Sequence, residues 1–281
     1  MSSNGSADPA RTVRFHAAGQ HEVPDHDDWL TPADAARFAT MRFTKRRDES
    51  RLGRWTAKGA VARALDRPVE HEALRAISIR NAADGAPEAF VDDAPAGVAI
   101  SMTDRAGWAV CLVAEGTDAL GCDLELVEPR SHRFVADYFT PREQEMVAAA
   151  PDDHDLLANL VWSAKESALK VLRQGLRLDT RTVEVALLDT EIGAWRALAV
   201  TTADGERFDG WWIRHGDFVL TCCARGGAAA PVPMQDPSPL TTAAPVHSWL
   251  AAPRRELPGG EFGSEQGGGA DDRLPGDTPS S

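Results

Sequence analysis

An eleven-residue stretch occurs twice in this chain. Trp55-Thr56-Ala57-Lys58 running on to Arg63-Ala64-Leu65 matches Trp162-Ser163-Ala164-Lys165 running on to Lys170-Val171-Leu172, each pair 107 positions apart. In both places the stretch is followed by strand-type runs that close in an apolar hairpin, GWAVCLVA in the first half and DFVLTCCA in the second. Two copies of a helix-plus-sheet unit bury most surface by packing together, so the repeat predicts a pseudo-dimer with a cleft between its halves. The copies differ at one chemically telling position, where Gly59 stands for Glu166.

The elements follow from local signals. Thr31-Pro32 opens a helix with a side-chain cap and proline in the first turn. Thr140-Pro141-Arg142-Glu143 reads as a capping box. Long helices are predicted over about 47–65 and 156–172, and strands at 76–79, 98–102, 108–114 and 119–127, with VEVALL, WRALAV, GWWIRH and DFVLTCCA closing the body. Helices mixed with hairpins make this an α+β chain of two similar helix-plus-antiparallel-sheet halves. We expect a loose N-terminus over 1–12, an N-terminal half over 13–118, and a C-terminal half over 119–225. Residues 226–281 hold 9 of the 18 prolines and 9 of the 23 glycines, a composition expected to stay mostly disordered, with VHSWL at 246–250 as a segment that could dock on the body.

Composition removes several classes. The formal net charge of −13 gives no global basic footprint for nucleic acid. No apolar run is long enough to span a membrane, and the first fifteen residues lack the apolar segment of a secretory signal. Cys111, Cys122, Cys222 and Cys223 sit in apolar runs without metal spacing, as small buried hydrophobes of a reducing compartment. The eight histidines form no HxxxH or His-Cys set, so neither zinc nor a histidine base is assigned. The expectation is a cytoplasmic protein with no nucleic-acid or membrane partner.

Three features carry chemistry. Asp123 and Glu125, two apart on a strand, project to one face. Such an oxygen pair suits a hard divalent cation, and a solvent-facing polar edge is the plainer use of the same pattern. Glu166 and Lys170 are one helical turn apart, either as a surface ion pair or as a third carboxylate beside a phosphate-seeking ammonium. From Arg42 to Arg63, eight bases stand against Asp48 and Glu49. Part of that run is a solvated helix face, and the rest suits a small polyanion because arginine offers forked donors to phosphate. Carboxylates for a cation plus bases for phosphates outline phosphoryl-transfer chemistry.

GCDLE followed some forty residues later by WSAKESALK resembles the paired signature of the 4′-phosphopantetheinyl transferases, G-x-D-x-E and W-[ST]-x-K-E-x-x-x-K. RRDESRLGRWTAK at 46–58 and the GAP at Gly85–Pro87 resemble that family's upstream motifs, and two-copy architecture points to the monomeric surfactin-type group. The resemblance covers about residues 13–225. It implies transfer of 4′-phosphopantetheine from coenzyme A to a serine of an acyl or peptidyl carrier protein of polyketide, peptide or fatty-acid assembly, releasing adenosine 3′,5′-bisphosphate. Asp123, Glu125 and Glu166 would hold Mg²⁺, with Mn²⁺ as a substitute. Glu166 would serve as base and Lys170 would neutralise the pyrophosphate. Arg46, Arg47, Arg54, Lys58, Gly85, Pro87, Thr103, Arg105, Lys165 and Lys170 would contact coenzyme A, and Gly59 implies a single active site.

The chain departs from the family at two points. Thr103-Asp104-Arg105 stands where a Ser-His pair is usual, and Ala86 replaces the lysine of G-K-P. Asp104 puts an anion where the 3′-phosphate of coenzyme A is expected, so 3′-dephospho coenzyme A should be tolerated. Two other readings stay open: a repurposed relative that binds coenzyme A or carrier protein without transfer, and a Mg²⁺-dependent hydrolase of a pyrophosphate.

Overall fold

A computed structural model describes residues 11–117, 119–173 and 178–245. The first half runs β1 (Arg14–Gly19), α1 (Pro32–Ala39), α2 (Thr44–Ala64), α3 (His71–Arg75), β2 (Ile77–Asn81), β3 (Pro87–Val91), β4 (Ala94–Arg105) and β5 (Trp108–Glu115). The second repeats that order with β6 (Leu120–Leu126), α4 (His132–Tyr138), α5 (Pro141–Ala148), α6 (His154–Val171), β7 (Val183–Ile192), β8 (Trp195–Thr202), β9 (Arg207–His215) and β10 (Phe218–Ala224). The segment that follows adds β11 (Val232–Pro233) and α7 (Ser238–Thr241).

Strand order is β11-β1-β5-β4-β3-β2 in one sheet and β6-β10-β9-β8-β7 in the other. In each half the first strand lies beside the last, and the long helix packs on that pair: α2 on β1 and β5, α6 on β6 and β10. The duplication therefore extends beyond the repeated helix. His16 of β1 and Asp123 of β6 are also 107 apart, on corresponding strands of the two sheets.

The sheets pack face to face. Phe15, Trp108, Val110 and Leu112 of one meet Leu124, Trp211, Ile213, Leu220 and Cys222 of the other in a single cluster. The alternate residues Cys111 and Val113 face α2, while Val219 and Cys223 face α6. Strands β5 and β10 are thus buried on both faces, which is why each reads as an unbroken apolar run rather than an alternating one. All four cysteines are free and buried, and burial pushes their thiols upward. Among the described residues no helix is long and apolar enough to cross a membrane.

The two capped short helices also prove to be equivalent. Thr31 Oγ1 accepts from the Asp34 amide at 3.1 Å, and Thr140 Oγ1 accepts from that of Glu143 at 3.4 Å. Each third-position acid then meets the buried lysine of the long helix in its own half. Lys58 Nζ lies 3.2 Å from Asp34 and donates to the Trp29 carbonyl at 3.1 Å. Lys165 Nζ lies 2.8 Å from Glu143 and donates to the carbonyls of Thr180 and Val183 at 2.9 and 2.6 Å. A buried ammonium costs several kcal/mol unless it is paired, and both lysines are paired with a buried carboxylate.

Part of the segment that follows residue 226 packs on the body. Val232 pairs in parallel with Arg14 of β1, the Met234 amide donates to the Phe15 carbonyl at 2.8 Å, and Leu240 is fully buried in the inter-sheet core. Residues 228–243 thus cover the open edge of β1 instead of leaving it unpaired. The VHSWL segment and the rest of 246–281 lie outside the described residues.

Candidate active site

Strand β6 and helix α6 approach one another closely at Gly121. A Cβ on that residue would stand 1.8 Å from the Ser167 carbonyl oxygen, so only glycine admits the helix. The contact brings the Glu166–Lys170 turn over Asp123. Lys170 Nζ donates to the Cys122 carbonyl at 2.7 Å and to Asp123 Oδ1 at 3.0 Å. The Thr103 hydroxyl donates to Asp123 Oδ1 at 3.2 Å and accepts from the Leu124 amide at 3.1 Å. Ser163 Oγ donates to the Asp123 carbonyl at 3.0 Å.

Two carboxylate oxygens in this group are buried with no hydrogen-bond partner, Asp123 Oδ2 and Glu166 Oε1. Enclosure, then the charge of Asp123, raises Glu166 to about 7 against the pull of Lys170. Enclosure alone would lower Lys170, but Asp123, Cys122 and Glu166 together outweigh it and the ammonium is held above its usual range. Unpaired hard oxygens beside a like charge are what a divalent cation would satisfy, and this donor set fits Mg²⁺ or Mn²⁺.

Glu125 belongs to a second set. Its Oε1 accepts from Trp162 Nε1 at 3.1 Å, and its Oε2 lies 3.3 Å from both Arg105 and Arg130. Arg105 also reaches Glu128 at 3.4 Å, and Arg130 Nε donates to Asn159 at 2.7 Å. Burial, then Asp123, pushes Glu125 to about 7 despite both arginines. Asp123 and Glu166 therefore each keep one unpartnered oxygen, whereas both oxygens of Glu125 are engaged by Trp162, Arg105 and Arg130.

A cleft of about 1040 Å³ opens beside Lys170. Its walls are α2 (Arg46, Glu49, Arg54), the β2–β3 turn (Asp84, Gly85, Pro87), β4 (Met102, Asp104) and the end of α6 (Lys170, Arg173). Gly85 has φ +92°, which the turn requires, and Asp84 accepts from the Ala86 amide at 3.0 Å. Arg173 reaches across from the second half to Asp84 at 3.0 Å and Glu88 at 3.5 Å. Asp104 still meets solvent in the cleft, yet its carboxyl is raised to about 6, first by partial desolvation and then by Glu49, with Lys170 opposing.

Of the residues expected to contact coenzyme A, Arg46, Arg54, Gly85, Pro87 and Lys170 line the cleft. The others do not line it. Lys58 and Lys165 are fully buried against Asp34 and Glu143 and face no cavity. Arg47 lies on the surface 3.9 Å from Asp48. Thr103 and Arg105 spend their donors on Asp123, Glu125 and Glu128. Arg54, though in the wall, is held 3.1 Å from Asp34. Arg130 and Arg173 were not singled out from the sequence, because neither lies in the repeat. The roles of Asp34 and Glu143 could have been read from the duplicated Thr-Pro-x-acid capping pattern.

Residues 119–223 match the family model of the 4′-phosphopantetheinyl transferase superfamily. That span runs from the residue before β6 into β10 and contains Asp123, Glu125, Glu166 and Lys170. No curated protein matches the chain. Solved structures similar to it include a holo-(acyl-carrier-protein) synthase from Bacillus anthracis str. Ames in complex with CoA (3′,5′-ADP). It is 19% identical, covers 38% of this chain and 97% of that one, and gives a TM-score of 0.32. The holo-[acyl-carrier-protein] synthase of Thermotoga maritima is 20% identical over 47% of this chain and 76% of that one, with a TM-score of 0.31. What the chain shares with the 4′-phosphopantetheinyl transferase superfamily is thus a match over residues 119–223, the span that carries Asp123, Glu125, Glu166 and Lys170.

Proposed function

We propose that this chain is a surfactin-type, divalent-cation-dependent holo-carrier-protein synthase. It moves 4′-phosphopantetheine from coenzyme A to a serine of an acyl or peptidyl carrier protein and acts as a cytoplasmic monomer. The observation that carries the reading is the pair of unpartnered buried oxygens on Asp123 and Glu166, with Lys170 between them and the mouth of the cleft.

In this reading Asp123 and Glu166 would hold Mg²⁺, which would supply charge neutralisation on the pyrophosphate. Glu125 joins them only by giving up an arginine. Lys170 neutralises a non-bridging phosphate oxygen, and Arg46 and Arg54 stand along the cleft for the nucleotide end. The carrier serine attacks the phosphorus that bears the pantetheine arm. The bond from that phosphorus to the bridging oxygen breaks, and adenosine 3′,5′-bisphosphate leaves. Glu166 takes the serine proton as general base. Most of the acceleration comes from positioning and electrostatics.

The docking face for an acidic carrier is the start of α2, where Phe43 is 75% exposed beside Arg42, Lys45, Arg46 and Arg47. A second reading, binding without transfer, is favoured by Asp104 in the cleft and by the arginines on Glu125. Incubation with coenzyme A, Mg²⁺ and an apo carrier, followed by intact-mass measurement of the carrier, separates the two. A gain of one phosphopantetheine unit that chelator abolishes supports transfer. Coenzyme A binding with no gain on several carriers supports the other reading.

A further inference from the structure

A second cluster of metal-ligating side chains lies outside the catalytic constellation. His26 and Asp28 sit in the segment joining β1 to α1, and His71 begins α3, 45 residues later in the sequence. Spacing offers no motif there, and only folding of that segment against α2 and α3 brings the three together. Asp28 Oδ1 lies 2.5 Å from His26 Nδ1 and 3.4 Å from His71 Nδ1. The two imidazole rings are tilted toward one another with centroids 4.7 Å apart, and one ligand atom from each residue lies within 4.8 Å of the others. Among the described residues this is the one such convergence of histidine, cysteine and carboxylate ligands.

We propose that His26, Asp28 and His71 form a surface site for a divalent transition metal, Zn²⁺ foremost, with water completing the coordination. Tetrahedral zinc with bonds of 2.0–2.2 Å sets its ligand atoms about 3.3 Å apart. The His71–Asp28 separation of 3.4 Å already meets that spacing, and His26 needs to withdraw from Asp28 by only about 0.8 Å. Two imidazoles and one carboxylate select a borderline metal over Mg²⁺, which prefers oxygen alone.

Three features make the arrangement more than a chance meeting of surface groups. The ligands are open to ions, with side chains 56, 61 and 37% exposed for His26, Asp28 and His71. The backbone that carries His26 is held in place: its carbonyl accepts from Trp29 Nε1 at 3.0 Å and from Arg51 at 3.2 Å. The nearby cation Arg51 is itself paired with Asp27, so it does not set an unbalanced positive charge against an incoming metal. His71 packs edge-on against Trp55, 5.7 Å between centroids, and Trp55 against Trp29 at 5.2 Å. A metal there would tie the segment before α1 to the start of α3 across α2, and the paired tryptophans would report its arrival.

The test uses the full-length chain without an affinity tag, in excess Mg²⁺, titrated with Co²⁺ as the visible probe and then with Zn²⁺ in competition. The proposal expects one equivalent of Co²⁺ to give d–d bands that Zn²⁺ abolishes, with a matching rise in melting temperature. Affinity should fall by more than the roughly 10–100-fold that loss of an outer-shell partner costs in His26→Ala, in His71→Ala and in Asp28→Asn, with unchanged far-UV dichroism. Asp123→Asn should bind Co²⁺ as the parent does. Absence of saturable Co²⁺ and Zn²⁺ binding would overturn the proposal, as would full binding in both histidine variants. Loss of binding in Asp123→Asn would assign the metal to the catalytic carboxylates instead.

Discussion

Gly121→Ala is the most exacting perturbation of this fold. A methyl at Gly121 would lie 1.8 Å from the Ser167 carbonyl oxygen and 2.8 Å from its carbon, both backbone atoms of α6. Real Cβ contacts do not fall below 3.0 Å, so β6 and α6 must separate by at least about 1.2 Å. Overpacking of that kind costs roughly 1–3 kcal/mol in stability. The same shift draws Lys170 off the Cys122 carbonyl and Asp123 Oδ1, lengthening contacts of 2.7 and 3.0 Å. A displacement near 1 Å costs on the order of 100-fold in rate when it misplaces reacting groups. Gly59→Ala is the internal control. In mid-helix, its new methyl meets only side-chain atoms of Arg63 and His16 at 3.0 Å, and replacing a helical glycine contributes about 0.5–1 kcal/mol of stability. Urea unfolding and carrier-transfer kinetics on both variants measure the contrast. Parental stability and rate in Gly121→Ala would refute the argument that glycine sets the β6–α6 distance.

Four further outcomes are expected. Lys170→Ala and Glu166→Gln should abolish transfer while leaving the melting curve cooperative, and near-parental rates would remove the role assigned to either group. Glu125 and Glu166 both titrate near 7 in the folded chain, above their unfolded values, so the folded state holds more protons between about pH 4.5 and 7. Stability in chelator should therefore fall as pH rises through that window, and added Mg²⁺ should counter the loss; a flat or rising melting profile would contradict this. Lys165→Met should cost about 3–5 kcal/mol by stranding Glu143, with recovery in the Lys165→Met, Glu143→Leu double variant, as read from denaturant midpoints. Asp104→His should raise kcat/KM for coenzyme A relative to its 3′-dephospho form, and an unchanged ratio would take Asp104 out of phosphate discrimination.

Much of this protein was legible in its residues because the relevant signals are local or repeated. Threonine caps followed by proline define α1 and α5, and the eleven-residue repeat announces two halves. The apolar runs of β5 and β10 mark the strands buried on both faces. Asp123 could be paired with Glu125, and Glu166 with Lys170, from spacing because a strand alternates and a helix turns in fixed steps, and the family resemblance joined the two pairs.

Other assignments depended on partners far along the chain. RFHAAG has little strand character, and it becomes β1 because β5 on one side and β11 on the other satisfy its backbone. Composition marked 226–281 as mostly loose, while within it Val232 pairs with Arg14 and Leu240 is buried between the sheets. Lys58 and Lys165 looked like phosphate ligands in the linear motif. In the folded chain Asp34 and Glu143 claim them, because a desolvated ammonium must be paired wherever it is buried. Sequence periodicity determines which side chains share a face. Tertiary packing alone decides which charges lose their water, and so which of them remain free to meet a ligand.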